Sequence, residues 1–226
     1  MNVLAIDTST LRAAVALTTL NGEILSAEPD PLRKHASGLV PAISRLLASA
    51  GLTARQLDGL AVGLGPGSFT GLRVGVAALK TLAYASGVPL VGLDSLEVLA
   101  RGGPEDARMI RVVGDAQRGE VFAAEFARRE AGGRLRRLGE TRIEARDVWV
   151  ARLEPGDVAL GPGLERPGPP LPLFARTDPG WNHPRGEPLA RLAVEVLASG
   201  RRDDPTVIEP LYLRRSAAED QKEARS

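Results

Sequence analysis

Short apolar runs at Val3 to Ile6 and Ala13 to Leu17 flank the polar stretch Asp7 to Arg12, which predicts a β-hairpin with polar residues at its tip. Leu60 to Leu64 reads as another short, buried strand. After it, Leu72, Val76, Leu79 and Ala83 recur at helical spacing until Gly87 and Pro89 end the run. Upstream, Leu39, Ile43, Leu46 and Leu47 form a second helical stripe; Pro41 lies inside it, so this helix either starts at the proline or bends there. Pro89 to Leu93 predicts a further strand, and Asp94 and Glu97 have capping-box spacing ahead of a short helix.

The pattern then repeats. Ile110 to Val113, Asp115, a turn through Gly119 and Val121 to Phe126 again read as strand, aspartate, turn and strand. Aligning Asp7 with Asp115 also sets Val62-Gly63-Leu64-Gly65-Pro66-Gly67 beside Val158-Ala159-Leu160-Gly161-Pro162-Gly163, the mark of an internal duplication. Gly102-Gly103-Pro104 interrupts the chain between the copies, giving expected halves of 1–103 and 104–226. In the second half, Pro155 to Pro188 is dense in proline and glycine and predicts mostly loop. Leu189, Leu192, Ala193, Val196 and Leu197 then predict an amphipathic helix, and the charged segment after Arg214 a mobile tail.

The junction between the first-half strand and its helix, Gly63-Leu64-Gly65-Pro66-Gly67-Ser68-Phe69-Thr70-Gly71-Leu72-Arg73, is a rigid turn. Glycines permit backbone angles closed to other residues, Pro66 fixes a torsion, and Ser68 or Thr70 can cap the first helix amides. A helix N-terminus attracts anions, so phosphate binding is one reading. The lysine of a P-loop is missing, however, and Ser68 stands where a dinucleotide fingerprint needs its third glycine. The other reading is close packing: Gly71 and Gly75 place small residues on one helix face.

Composition narrows the chemistry. With 226 residues, 43% of them hydrophobic, the chain can bury a sizeable core, and a net charge of +1 gives no general field for nucleic acid. No cysteine is present, so disulfides and thiolate chemistry are excluded; the short N-terminal lead before the first apolar run leaves no secretory signal, and a cytoplasmic, non-membrane protein is expected. The two histidines, His35 and His183, lack the i, i+4 spacing of a helical metal pair, so no metal site is expected. Ser68 sits outside a G-x-S-x-G elbow, which argues against a serine hydrolase.

Together with the opening Val3 to Thr10, the segment Gly114 to Phe122 and the late Pro210-Leu211-Tyr212-Leu213-Arg214, the glycine-rich junction closely resembles the TsaB (YeaZ) family. Members of that family are partner subunits of TsaD in synthesis of threonylcarbamoyladenosine, the modified base beside the anticodon of tRNAs reading codons that begin with A. The resemblance implies an α/β, actin-like ATPase (ASKHA, ribonuclease H-like) fold with two related βαβ-containing halves. In such folds the acid after the first strand of each half positions magnesium and phosphates, making Asp7 and Asp115 a candidate nucleotide site. Asp115-Ala116-Gln117-Arg118 lacks the glycines of a phosphate turn, so that site is expected to be degenerate. An aspartate there can equally cap its own turn.

The resemblance further implies that the helices Ser37 to Ala50 and Thr70 to Ser86 dock as a pair on the matching pair of TsaD or of a second copy. The residues expected there are Leu39, Ile43, Leu46, Leu72, Val76 and Leu79, although half of each helix must face its own sheet. The expected function is therefore a noncatalytic scaffold of the threonylcarbamoyl-transferase complex. It would reach TsaE and tRNA through that complex, form a homodimer alone and hold no tight cofactor, with ATP and magnesium bound only weakly or at the complex interface. The competing readings are an ATP-dependent small-molecule kinase or hydrolase of the same fold and a direct RNA-binding module. The missing phosphate turn opposes the first, and the low charge and few aromatics the second.

Overall fold

The computed structural model of the chain describes residues 1–27 and 35–213, with 35–37 described by backbone alone. The expected tail after Arg214 lies outside these residues.

The first sheet begins with the predicted hairpin. Strand β1 (Val3–Asp7) pairs antiparallel with β2 (Ala14–Thr18), and β2 with β3 (Ile24–Ala27), a half-buried edge strand that the apolar pattern does not mark. Helix α1 (His35–Ser49) then leads to β4 (Gly59–Gly63), parallel to β1, and helix α2 (Phe69–Ser86) to β5 (Leu90–Leu93), parallel to β4. The resulting order is β3-β2-β1-β4-β5. Both faces are covered, so β1 and β4 are buried at every position and read as continuous apolar runs.

Helix α3 (Ser95–Arg101) links to the second sheet, in which β6 (Met109–Asp115) pairs antiparallel with β7 (Glu120–Ala127). On β7 lie the short strands β8 (Arg136–Arg137) and β9 (Arg142–Ala145). After the five-residue helix α4 (Arg146–Val150), β10 (Asp157–Leu160) pairs parallel with β6, as β4 does with β1. The duplication is thus visible as repeated strand order. Part of the expected loop between Pro155 and Pro188 is this strand, followed by 3₁₀ turns at Pro162–Glu165 and Pro179–Trp181. Helix α5 (Gly186–Ala198) returns to the first sheet, where Leu189, Leu192, Ala193 and Leu197 pack on Val3, Ala5, Ala61 and Val91.

The opposite face of that sheet explains α1 and α2. Leu4, Ile6, Val15, Leu60 and Val62 form one core with Leu39, Ile43, Leu46, Val76 and Leu79. Leu72, 1% exposed, lies beneath the Gly65 turn. All six residues expected at a partner interface are therefore turned inward, at 0 to 8% exposure. The physical reason is that a sheet face must be covered, and these stripes are its cover. Of the two alternatives for Pro41, the helix passes through it. Asp94 caps α3 by accepting from the Leu96 and Glu97 amides, while Glu97 pairs with Arg101 instead of completing a capping box.

Candidate functional site at the cleft between the halves

The glycine-rich junction packs directly on the β1–β2 turn. Gly65, at φ 98° and followed by a cis peptide to Pro66, donates to the Ser95 hydroxyl at 3.0 Å, and Ser68 donates its amide to the Ser9 carbonyl at 2.7 Å. Ser68 Oγ caps α2 by accepting from the Gly71 amide at 3.2 Å. A Cβ at Gly67 would overlap the Ser9 carbonyl, one at Gly71 the Thr8 carbonyl, and one at Gly75 the Thr8 hydroxyl. Of the two readings of this motif, close packing is the one its contacts display. Arg73 ties it to the late Tyr212: the guanidinium lies 3.8 Å from the Phe69 ring centroid, and its Nε donates to the Tyr212 hydroxyl at 2.9 Å.

Asp7 closes β1 with no exposure at all. Its Oδ1 accepts from the Ser9 amide at 2.8 Å, while Oδ2 has no hydrogen-bond partner, and neither do the Thr8 and Ser9 hydroxyls beside it. Burial holds the Asp7 carboxyl above the ordinary aspartate value, opposed by the Ser9 amide and by the nearness of the Ser9 and Ser95 hydroxyls. Asp115, at the matching end of β6, is placed differently. Its Oδ1 accepts from the Gln117 amide and its Oδ2 from Arg166 Nε, each at 2.8 Å. So Asp7 and Asp115 both cap their own turns, the first out of reach of solvent and the second bound to a cation of the protein. This donor set does not fit a magnesium–nucleotide pair.

A cleft of about 360 Å³ lies between the halves, walled by Ser9, Thr10 and Pro66 to Thr70 on one side and by Gly114, Asp115, Gln117 and Arg166 on the other. His183 bridges it, with Nδ1 3.2 Å from Thr10 Oγ1 and Nε2 2.9 Å from Glu165 Oε1. Sequence reasoning missed Arg166 and weighed His183 only as a metal ligand, because both lie in the proline-rich stretch, where no periodicity marks position. The structure brings His183 to the β1–β2 turn, and among the described residues no group of three potential metal ligands exists. Among those residues, too, no helix is long and apolar enough to cross a membrane.

The outward faces of α1 and α2 were also hidden from the sequence. Along α2, Thr70, Arg73, Ala77, Thr81 and Tyr84 are exposed at spacings of three and four, flanked by half-buried Val74, Ala78 and Leu82. On α1, Val40 is 59% exposed, near exposed Ser44 and Ala48. Arg73 and Arg45 are the charges on these rows.

Two sheets of matching strand plan, joined across a cleft with an acid at the end of each first strand, place this molecule among actin-like, ribonuclease H-like proteins. Within that class the chain belongs to the TsaB (YeaZ) family. It is 31% identical to the tRNA threonylcarbamoyladenosine biosynthesis protein TsaB of Escherichia coli (strain K12) over 225 residues, which cover 96% of each chain. The Bacillus subtilis (strain 168) protein of the same name is 35% identical over 122 residues, 54% of this chain and 53% of that one. The structure of YeaZ from Pseudomonas aeruginosa superposes with a TM-score of 0.77 at 28% identity, covering 94% of this chain and 99% of the other. The family model described as TsaD, tRNA N6-adenosine threonylcarbamoyltransferase, matches residues 30–154.

Proposed function

We propose that this chain is a noncatalytic subunit of tRNA threonylcarbamoyladenosine synthesis, which docks on a TsaD transferase and supports its modification of the adenosine beside the anticodon. One observation carries the reading. The acids that an actin-like ATPase turns toward magnesium and phosphates are committed here to the protein itself, Asp7 by complete burial and Asp115 by Arg166. A kinase or hydrolase of this fold would need both carboxylates reachable from the cleft and free of protein cations. No cofactor is assigned to the isolated chain, and tRNA and TsaE are reached through the complex, in the cytoplasm.

The docking face is the outward row of α1 and α2, centred on Ala77, Tyr84 and Val40, in place of the inward residues that the apolar stripes suggest. Small side chains such as Ala77 let a second helix pair approach closely, and Tyr84 supplies a large, largely exposed anchor. The same face would serve a homodimer of the free chain. Ala77→Glu and Tyr84→Glu are expected to melt like the parent and to weaken TsaD binding by about thirtyfold or more, roughly 2 kcal/mol. Calorimetric titration against TsaD, paired with thermal melting, checks this; variants that fold and bind like the parent would remove the docking face.

A further inference from the structure

The two halves diverge after their matched Gly-Pro-Gly turns. In the first, the chain enters α2, whose Gly71 and Gly75 press onto Thr8 and fill the space against the β1–β2 turn. In the second, Gly161-Pro162-Gly163 leads only into the 3₁₀ turn at Pro162–Glu165. A cavity of about 320 Å³ remains against the β6–β7 turn, walled by Asp115, Gln117 to Val121, Arg146, Gly163 and Arg166. The duplication thus leaves a space where its other copy has a helix.

Arg146 lines that cavity and is 8% exposed. Its Nη1 donates to the Arg166 carbonyl, Gly168 packs against the guanidinium, and its Nε has no hydrogen-bond partner. Burial pushes its pKa down, and among the described residues its guanidinium is in no ion pair. A buried cation without a counter-charge is costly, so its position calls for an anion. Arg118 and Arg166 add guanidinium groups to the wall; Arg166 is already matched by Asp115, and Glu120 is the other acid there. The turn that closes the cavity also holds Gln117 at φ 62° and Arg118 at φ 55°, left-handed angles that non-glycine residues adopt at a cost and that gather at ligand sites.

We propose that this cavity binds a small oxyanion, a phosphate or carboxylate group, with Arg146 as its buried ligand and Arg118 at its rim. The site is separate from a magnesium–nucleotide site, since Asp115 stays paired to Arg166. It does not depend on the docking role. Binding removes the isolation of Arg146, so the anion stabilises the folded chain in proportion to its occupancy.

The test uses the full chain in chloride buffer, titrated separately with sodium phosphate and sodium acetate at constant ionic strength. One or both should raise the melting temperature saturably by about 2–4 °C. The more effective anion identifies the ligand group. Arg146→Gln should lose that rise and, without anion, melt at or above the parent. In the parent itself, the Arg146 Nε–H resonance should shift on the same titration and saturate with it, which decides the matter even if the variant does not fold. No saturable shift of that resonance with either anion, or an equal melting rise in parent and Arg146→Gln, overturns the proposal.

Discussion

Asp7 shows how far one residue can be read from sequence. Its position after the first strand marks it as the acid of an actin-like cleft, and nothing in the sequence says that Gly63 and Ser95 close over it. Burial raises its pKa, so the folded chain keeps this proton to higher pH than the unfolded chain does. Stability from this group is therefore greatest below the unfolded value and falls as pH rises through the folded one. Asp7→Asn removes that fall while keeping an acceptor for the Ser9 amide. The variant should match the parent near pH 4 and become the more stable of the two toward pH 8. Melting curves of both proteins across that range check it; a gap that shrinks with rising pH would mean that the ionised carboxylate is stabilised in the fold.

At the scale of elements, α2 carries two messages on opposite faces. Its inward stripe was legible, because Leu72, Val76 and Leu79 recur at helical spacing. The outward row was not, since Ala77, Ala78 and Leu82 are apolar on the far side as well and no charge pattern separates the faces. The glycine row is a third feature, whose packing role follows from what it touches. Gly71→Ala and Gly75→Ala should each destabilise the chain by about 1–3 kcal/mol through overlap with Thr8. Thr8→Ala should restore Gly75→Ala, where a hydroxyl is the obstacle, and leave Gly71→Ala unrepaired, where it is a carbonyl. A double-mutant melting cycle distinguishes them; equal rescue of both would contradict this packing. Leu72→Glu, by contrast, should unfold the chain outright because its site is core.

Across the whole molecule, the duplicated strand order could be read from the matched aspartates and Gly-Pro-Gly turns, but the closure of the first sheet by C-terminal segments could not. Helix α5 covers one face of that sheet. Beyond α5, Asp203 accepts from the Gly92 amide at 2.7 Å, Lys80 donates to the Ile208 carbonyl at 3.2 Å, and Ile208 joins the α1–α2 core. Such long-range contacts leave no local signature. Truncation after Gly200 should therefore lower the melting temperature by about 4 °C or more, as loss of a buried isoleucine and its strap contacts costs roughly 2 kcal/mol or above. An unchanged melt would show that this strap contributes no stability.

If the chain acts by docking and contributes no acid to the reaction, reconstituted threonylcarbamoylation of tRNA depends on its presence and not on the Asp7 carboxylate. With TsaD and its other components fixed, the rate is measured without this chain, with the parent, and with saturating Asp7→Asn whose binding to TsaD has been verified. Almost no product is expected without the chain, and a rate for Asp7→Asn within about threefold of the parent, since a group outside the reacting centre leaves the barrier nearly unchanged. A variant that binds TsaD normally yet loses about a hundredfold or more in rate would place the Asp7 carboxylate in the chemistry and rule out a purely docking role.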